Sequence, residues 1–224
     1  MRVGAGTVWR GLVPVVVLGG VLTGCSQTQQ EGATAGTSAS ATAAAGAAGQ
    51  AARSGGTIGS SDSACELPVT FDVAEDWKAK AVDSGTAEGT AADDGSGMPE
   101  EVADALLTAA CEIDAKPAGH IGFLRVWTGD RSGDDSRTVL KAFVAAEGST
   151  RQEKYRTFRT GSLTGVEVEY LCTSKILDES KKERALAVTT PQGPVVLHLG
   201  GLDTEEHDQM LPAYELAKKT LRTA

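Results

Sequence analysis

Two strand–turn–strand patterns in the second half of the chain constrain its fold more than any other feature. Residues 153–173 read EKYRTFRTGSLTGVEVEYLCT, and residues 184–202 read RALAVTTPQGPVVLHLGGL. In each pattern, runs rich in β-branched, aromatic and apolar residues flank a short turn that contains glycine, which is typical of a β-hairpin. Two hairpins in succession predict an antiparallel sheet.

Two amphipathic segments predict helices that pack on this sheet. Residues 134–148 place four apolar side chains on one helical face and end at a glycine, a common stop signal. Residues 203–222 begin with the capping-box spacing of Asp203 and Glu206. Pro212 lies inside this last segment, and we expect it to kink or divide the helix because proline removes a backbone hydrogen bond.

The remaining elements complete an α+β pattern. Strands are predicted at residues 67–73, 110–115 and 120–129, and a short helix is predicted from Pro99, since proline suits a first helical turn. Strands arranged as hairpins, with helices between and after them, predict an α+β fold in which helices pack on an antiparallel sheet.

The first 25 residues have the layout of an export signal. Arg2 and Arg10 flank an apolar stretch at residues 11–22, which is short for a membrane-spanning helix of roughly 20 residues. The sequence Leu-Thr-Gly-Cys that ends at Cys25 resembles a bacterial lipobox, which implies that residues 1–24 are removed and that the Cys25 sulfur receives acyl chains such as palmitate. A simple secretory signal and an uncleaved anchor are the alternatives.

Residues 25–64 predict a flexible tether that begins with the lipidated cysteine. They are nearly all Ala, Gly, Ser, Thr and Gln, and such a segment buries too little apolar surface to offset its ordering entropy. Periodic apolar residues start at Cys65, so residues 65–224 are predicted to form one globular domain. The net charge of −9 argues against a nucleic-acid partner and against electrostatic docking on anionic lipids.

Several segments of the domain resemble PsbP-like domains. The opening LPVTFDVAEDWKA (residues 67–79), the helical LKAFVAA (residues 140–146) and the hairpin at residues 185–201 carry the resemblance. Residues 65–224 are also similar to a group of uncharacterised actinobacterial lipoproteins. The resemblance implies an α/β/α sandwich that serves mostly as a binding or assembly module. It supplies no catalytic motif and no cofactor.

The cysteines other than Cys25 allow one disulfide and one free thiol. Cys65 and Cys111 each stand at the start of a predicted strand, so we favour that pair, and export permits a disulfide. Cys172 then remains free. It is either a small buried apolar residue or, if a histidine lies nearby in the fold, a candidate nucleophile.

Other polar residues offer weaker candidates for chemistry. Glu167 and Glu169 alternate on one strand face, where they either act in acid–base chemistry or face water. Residues 198–208 include two histidines and several acids, but they lack the ligand spacing of zinc and calcium sites, so no metal site is predicted. The common nucleophile, phosphate-binding and dinucleotide-binding motifs are also missing.

Aromatic residues and an arginine give the candidate binding residues. Trp77, Arg125 and Trp127 either line a shallow groove for a partner or, for the tryptophans, pack in the core. The sequence therefore predicts a lipid-anchored, outward-facing, non-catalytic binding module that contacts the membrane through lipid on Cys25 and a protein or envelope component through its domain. The alternatives are a cell-envelope enzyme and a carrier of a small apolar ligand.

Overall fold

The computed structural model describes residues 50–82, 101–102, 107–173 and 179–224. All of them belong to one compact unit, Ala44–Ala224. The predicted signal peptide, Cys25 and most of the predicted tether lie outside the described residues, as do residues 83–97, which include four acids.

The described elements are named here in chain order. They are β1 (Ser54–Ile58), β2 (Val69–Ala74), β3 (Lys78–Ala81), β4 (Glu101–Val102), β5 (Leu107–Asp114), β6 (Gly122–Gly129), α1 (Ser136–Ala146), β7 (Thr150–Thr160), β8 (Leu163–Thr173), β9 (Ser180–Thr190), β10 (Gly193–Gly201), α2 (Thr204–Thr220) and β11 (Arg222–Thr223). A large antiparallel sheet has the strand order β3-β5-β6-β10-β9-β8-β7, and β4 also pairs with β5. A small sheet has the order β1-β2-β11. The predicted α+β class is confirmed.

Both predicted hairpins are present. Thr160 pairs with Leu163 across the first turn, and Thr190 pairs with Gly193 across the second. Gly193 has φ +144°, and a Cβ atom there would lie 2.0 Å from the carbonyl oxygen of Gly129. Only glycine fits this turn, because it has no Cβ and tolerates positive φ.

The large sheet separates two apolar cores. Because side chains alternate along a strand, Val196 and His198 of β10 face α1, whereas Val195, Leu197 and Leu199 face α2 and the small sheet. Helix α1 buries Val139, Leu140, Phe143 and Val144 on the first side, and α2 buries Met210, Ala213, Tyr214 and Ala217 on the second. Helices therefore lie on both faces of the sheet.

The folded region begins earlier than residue 65, so the predicted tether boundary is wrong. Strand β1 lies within the predicted tether and pairs with β2 through Thr57 and Asp72. The backbone N–H of Ala52 donates to the carbonyl of Pro212 at 2.8 Å. The apolar pattern missed this strand because only Ile58 of its side chains is buried, and backbone pairing needs no apolar side chain.

Two local predictions need correction. Glu101 and Val102 form strand β4 rather than part of the predicted helix, because the edge of β5 offers them backbone partners. Helix α2 is not divided at Pro212 but runs from Thr204 to Thr220. Its predicted cap is present, since the Asp203 carboxylate accepts from the Glu206 backbone N–H at 2.8 Å.

The predicted disulfide between Cys65 and Cys111 is present. It links the segment before β2 to strand β5, with a Cα–Cα distance of 5.9 Å. Both cysteines are buried in the core on the α2 side of the sheet. Cys172 is free.

Candidate functional site

A surface pocket surrounds Trp77, at the point where the small sheet meets α2. Trp77 follows β2 in a tight turn that places Asp76 at φ +67°, and its backbone N–H donates to the carbonyl of Ala74. The pocket encloses about 260 Å³. Its lining residues are Ala52, Arg53, Ala74, Glu75, Trp77, Ala118, His120, Gln209, Met210, Pro212 and Ala213.

Buried apolar side chains and exposed polar side chains divide this lining. Trp77, Met210 and Ala213 are buried, whereas the Arg53 and Glu75 side chains are 88% and 58% exposed and lie 3.7 Å apart. Exposed ion pairs contribute little to stability, so both side chains are available to a partner. The arrangement provides an aromatic wall beside one cation and one anion.

A hydrogen bond between a histidine and a glutamate is found beside the same pocket. His120 Nδ1 lies 2.8 Å from Glu206 Oε1, and both side chains are only partly exposed. His120 precedes β6 and Glu206 lies in the first turn of α2. This contact joins the large sheet to the helix that forms one side of the pocket.

The other two predicted binding residues lie on the opposite face of the large sheet. Trp127 is 1% exposed and packs edge-on against Phe143 at 4.9 Å between ring centroids. Arg125 donates to Glu112 Oε2 from Nε at 3.0 Å. The structure therefore does not bring Trp77 together with Arg125 or Trp127. The arginine beside Trp77 is Arg53, which sequence reasoning missed because it assigned residue 53 to the tether.

Sequence reasoning also missed a buried cluster of titratable groups between α1 and the sheet. His198 Nε2 lies 2.7 Å from Glu183 Oε2 and 3.4 Å from Glu147 Oε1. The Tyr170 hydroxyl lies 3.2 Å from the same nitrogen. The side chains of Glu147, Glu183 and His198 are only 1–3% exposed. A substrate has no access to this cluster in the present conformation.

The electrostatics of this cluster follow from burial and mutual attraction. Burial raises the pKa of Glu147 to about 7, although His198 opposes the rise. Burial alone raises the pKa of Glu183, but His198 and Lys181 outweigh it and the pKa is lowered. Burial lowers the pKa of His198, but Glu147 and Glu183 outweigh it and the pKa is raised. These directions favour a protonated His198 beside an ionised Glu183.

Lys181 completes the cluster at its outer side. Its Nζ lies 3.0 Å from Glu183 Oε1 and donates to the carbonyl of Gly201 at 2.7 Å. Glu183 is thus held from two sides, by His198 and by Lys181. The cluster fixes the end of α1 to three strands of the sheet.

Glu167 and Glu169 belong to a separate network under α2. Lys218 Nζ lies 2.8 Å from Glu167 Oε2 and 2.8 Å from Glu215 Oε1. Arg184 Nη2 lies 2.5 Å from Glu169 Oε2. Burial raises the pKa of Glu169, but the bond and charge of Arg184 outweigh it and the pKa is lowered. Each acid therefore has a basic partner in the fold, and the Glu169 side chain is 30% exposed.

Two further titratable side chains are kept neutral by burial. Burial raises the pKa of the half-buried Cys172 thiol to about 11, and Glu147 and Glu183 add to the rise. Burial lowers the pKa of His207 to about 4. A protonated thiol is a poor nucleophile, so the site around Cys172 does not favour nucleophilic chemistry at neutral pH.

The described residues contain neither a metal-binding cluster nor a helix able to span a membrane. Within residues 50–82, 107–173 and 179–224, no group of three or more His, Cys, Asp or Glu side chains is placed to hold a metal ion. Over the same described ranges, no helix is both long enough and apolar enough to cross a membrane.

Comparison with known proteins identifies the family of the chain. A family model described as an uncharacterised lipoprotein matches residues 35–221. The chain belongs to this family of uncharacterised lipoproteins. Membership implies attachment to a membrane through lipid. No curated protein matches the chain.

One solved structure is similar in outline. It is the solution structure of cyanobacterial PsbP (CyanoP) from Synechocystis sp. PCC 6803, at 12% identity and a TM-score of 0.45, and the match covers 82% of this chain and 99% of that chain. Likeness at this TM-score transfers no function to the lipoprotein.

Proposed function

We propose that this lipoprotein is an outward-facing binding or assembly module without a catalytic centre, anchored through acyl chains on Cys25. Its partner is a protein or another component of the cell envelope, and the contact is made at the pocket around Trp77. The pocket is the observation that carries the proposal. It combines a buried aromatic wall with an exposed cation and an exposed anion, which is the composition of protein interaction sites.

Three observations support the location. The family is one of lipoproteins, and the Leu-Thr-Gly-Cys sequence that ends at Cys25 has the pattern of a lipid attachment site. The disulfide between Cys65 and Cys111 favours the outer side of the membrane, because disulfides persist in oxidising compartments and are rare in the cytosol.

The size of the pocket favours a partner over the carrier alternative. Ligand pockets commonly enclose about 300–1,000 Å³ and bury most of their ligand, whereas this pocket encloses about 260 Å³. That volume suits one large side chain of a partner. The acids named as candidates for enzymatic chemistry, Glu167 and Glu169, are engaged by Lys218 and Arg184, which supports a non-catalytic role.

Site-specific photocrosslinking in the native envelope tests the proposal. A photoreactive residue at Gln209, which lines the pocket, is compared with the same residue at Gln192, an exposed turn position between β9 and β10. We expect one discrete adduct from position 209 and none from position 192. Equal labelling at both positions, or no adduct at 209 in a chain shown to be in the membrane, contradicts binding at the pocket.

A further inference from the structure

One edge of the large sheet is basic although the whole chain is acidic. Residues 136–160, which span α1 and β7, hold six Lys and Arg residues and two Glu residues, and the side chain of one of these acids, Glu147, is buried in the cluster with His198. The rest of the chain is therefore still more acidic than the net charge of −9. Whole-chain charge conceals this local excess.

The structure brings these charges together at one edge. Strand β7 ends the order of the large sheet. Arg137 and Lys141 of α1 lie over the ring of Tyr155 in β7, at 5.4 and 6.0 Å from its centroid. We define the basic edge as five exposed side chains, Arg137, Lys141, Lys154, Arg156 and Arg159.

Acids compensate only part of this charge. In the part of the chain that the structure describes, Arg156 and Arg159 form no ion pair, whereas Lys154 Nζ lies 3.5 Å from Glu169 Oε1. The exposed Glu153 accepts from the Tyr155 hydroxyl within the edge, and Glu167 is held by Lys218. The basic edge thus keeps an excess of positive charge at the surface.

The opposite edge of the same sheet differs. There Lys78 and Lys80 of β3 are exposed, but they pair in register with Asp114 and Glu112 of β5. The basic edge has pairs of the same kind, since Lys154 and Arg156 of β7 lie opposite Glu169 and Glu167 of β8. The two edges therefore differ in the number of exposed basic side chains, which is five at the basic edge and two on β3.

We propose that the basic edge docks on the anionic phospholipid headgroups of the membrane that holds the lipoprotein. The argument rests on charge complementarity and on the lipid anchor of the proposed function. An acyl anchor on Cys25 would keep the domain at a high effective concentration near the headgroups. Each Lys or Arg at an anionic surface then strengthens binding about fivefold.

The test uses the complete lipidated chain in nanodiscs of phosphatidylcholine alone or of phosphatidylcholine mixed with phosphatidylglycerol. Amine labelling followed by mass spectrometry gives a rate for each lysine. We expect Lys141 and Lys154 to be labelled about fivefold more slowly on anionic discs. Lys78 and Lys80 serve as the internal control and should not change. Salt at about 1 M, which shortens the Debye length to about 3 Å, should abolish the protection.

Matched charge reversals identify the surface. The variant R156E/R159E should remove the protection of Lys141 and Lys154 from labelling. The variant K78E/K80E makes the same change in charge at the opposite edge, and in it Lys141 and Lys154 should stay protected. Equal labelling on neutral and anionic discs, or equal effects of the two variants, overturns the proposal. That result would leave the edge charges with the role of preventing strand pairing between copies. Failure of the chain to co-purify with discs would instead contradict the lipid anchor.

Discussion

Replacement of Glu147 by glutamine should stabilise the domain at alkaline pH. The Glu147 side chain is 3% exposed, and its burial raises its pKa from 4.5 to about 7. A folded-state pKa above the unfolded value means that Glu147 favours folding fully below pH 4.5, and that this contribution is lost as the pH rises to about 7. One pKa unit corresponds to about 1.4 kcal/mol, so the loss amounts to about 3 kcal/mol.

The assay is urea unfolding of the wild type and of Glu147→Gln between pH 4.5 and 8. Glutamine keeps the shape of the side chain and cannot ionise, so the variant should exceed the wild type by about 3 kcal/mol at pH 8 and match it near pH 4.5. Other groups set the remaining slope, which the two proteins share. The raised pKa of His198 stabilises the fold below pH 6.5, and this contribution is lost as the pH rises above it. The pKa of His207, lowered to about 4, destabilises the fold as the pH falls from 6.5 toward 4, and the lowered pKa of Glu183 stabilises the fold above pH 4.5 and not at lower pH.

Glu66→Gln is the matched control, because Glu66 is exposed and the same chemical change there should leave the pH dependence as in the wild type. A Glu147→Gln variant with the wild-type slope, or with lower stability at pH 8, would refute the inference that an ionised Glu147 is poorly compensated in the buried cluster.

Three further perturbations have defined outcomes. Replacing Cys65 and Cys111 together by alanine should lower the free energy of unfolding by about 4 kcal/mol, because the bridge closes a loop of 46 residues; a loss below about 1 kcal/mol in urea unfolding would contradict this. Glu183→Gln should cost about 3–5 kcal/mol in the same assay at pH 6, since it leaves His198 and Lys181 without their buried carboxylate, and a neutral result would show that the charges are not paired. Cys172 should react with iodoacetamide about a hundredfold more slowly than an unhindered peptide thiol, because its pKa is raised to about 11; equal rates, followed by mass spectrometry, would be inconsistent with that environment.

Prediction from the sequence succeeded where side chains carried the signal. Runs of apolar and β-branched residues around glycine-containing turns predicted β8, β9 and β10, and the cap at Asp203 located the start of α2. It failed at β1, whose pairing depends on the backbone, so a Gly-rich segment was assigned to the tether. The helix predicted at Glu101 was also wrong, because Glu101 pairs with strand β5 and local sequence does not encode such a tertiary contact.

The functional groups were harder to predict because they come from distant parts of the chain. Glu183 lies on the same face of β9 as the buried Ala185 and Ala187. Because side chains two residues apart share a face of a strand, the sequence could have predicted that Glu183 is buried. Glu147 stands at a helix end, and only the packing of α1 brings it to His198. Trp77 was singled out from sequence, but its neighbour Arg53 required the three-dimensional fold.

The state of the N-terminus tests the central claim most directly. In the native host, intact mass of the mature chain should show that residues 1–24 are removed and that Cys25 carries acyl chains, and the chain should stay with membranes through a high-salt wash. Cys25→Ser should release it to the soluble fraction. A variant that remains as firmly attached, or a wild-type mass that retains residues 1–24 without lipid, would contradict the account.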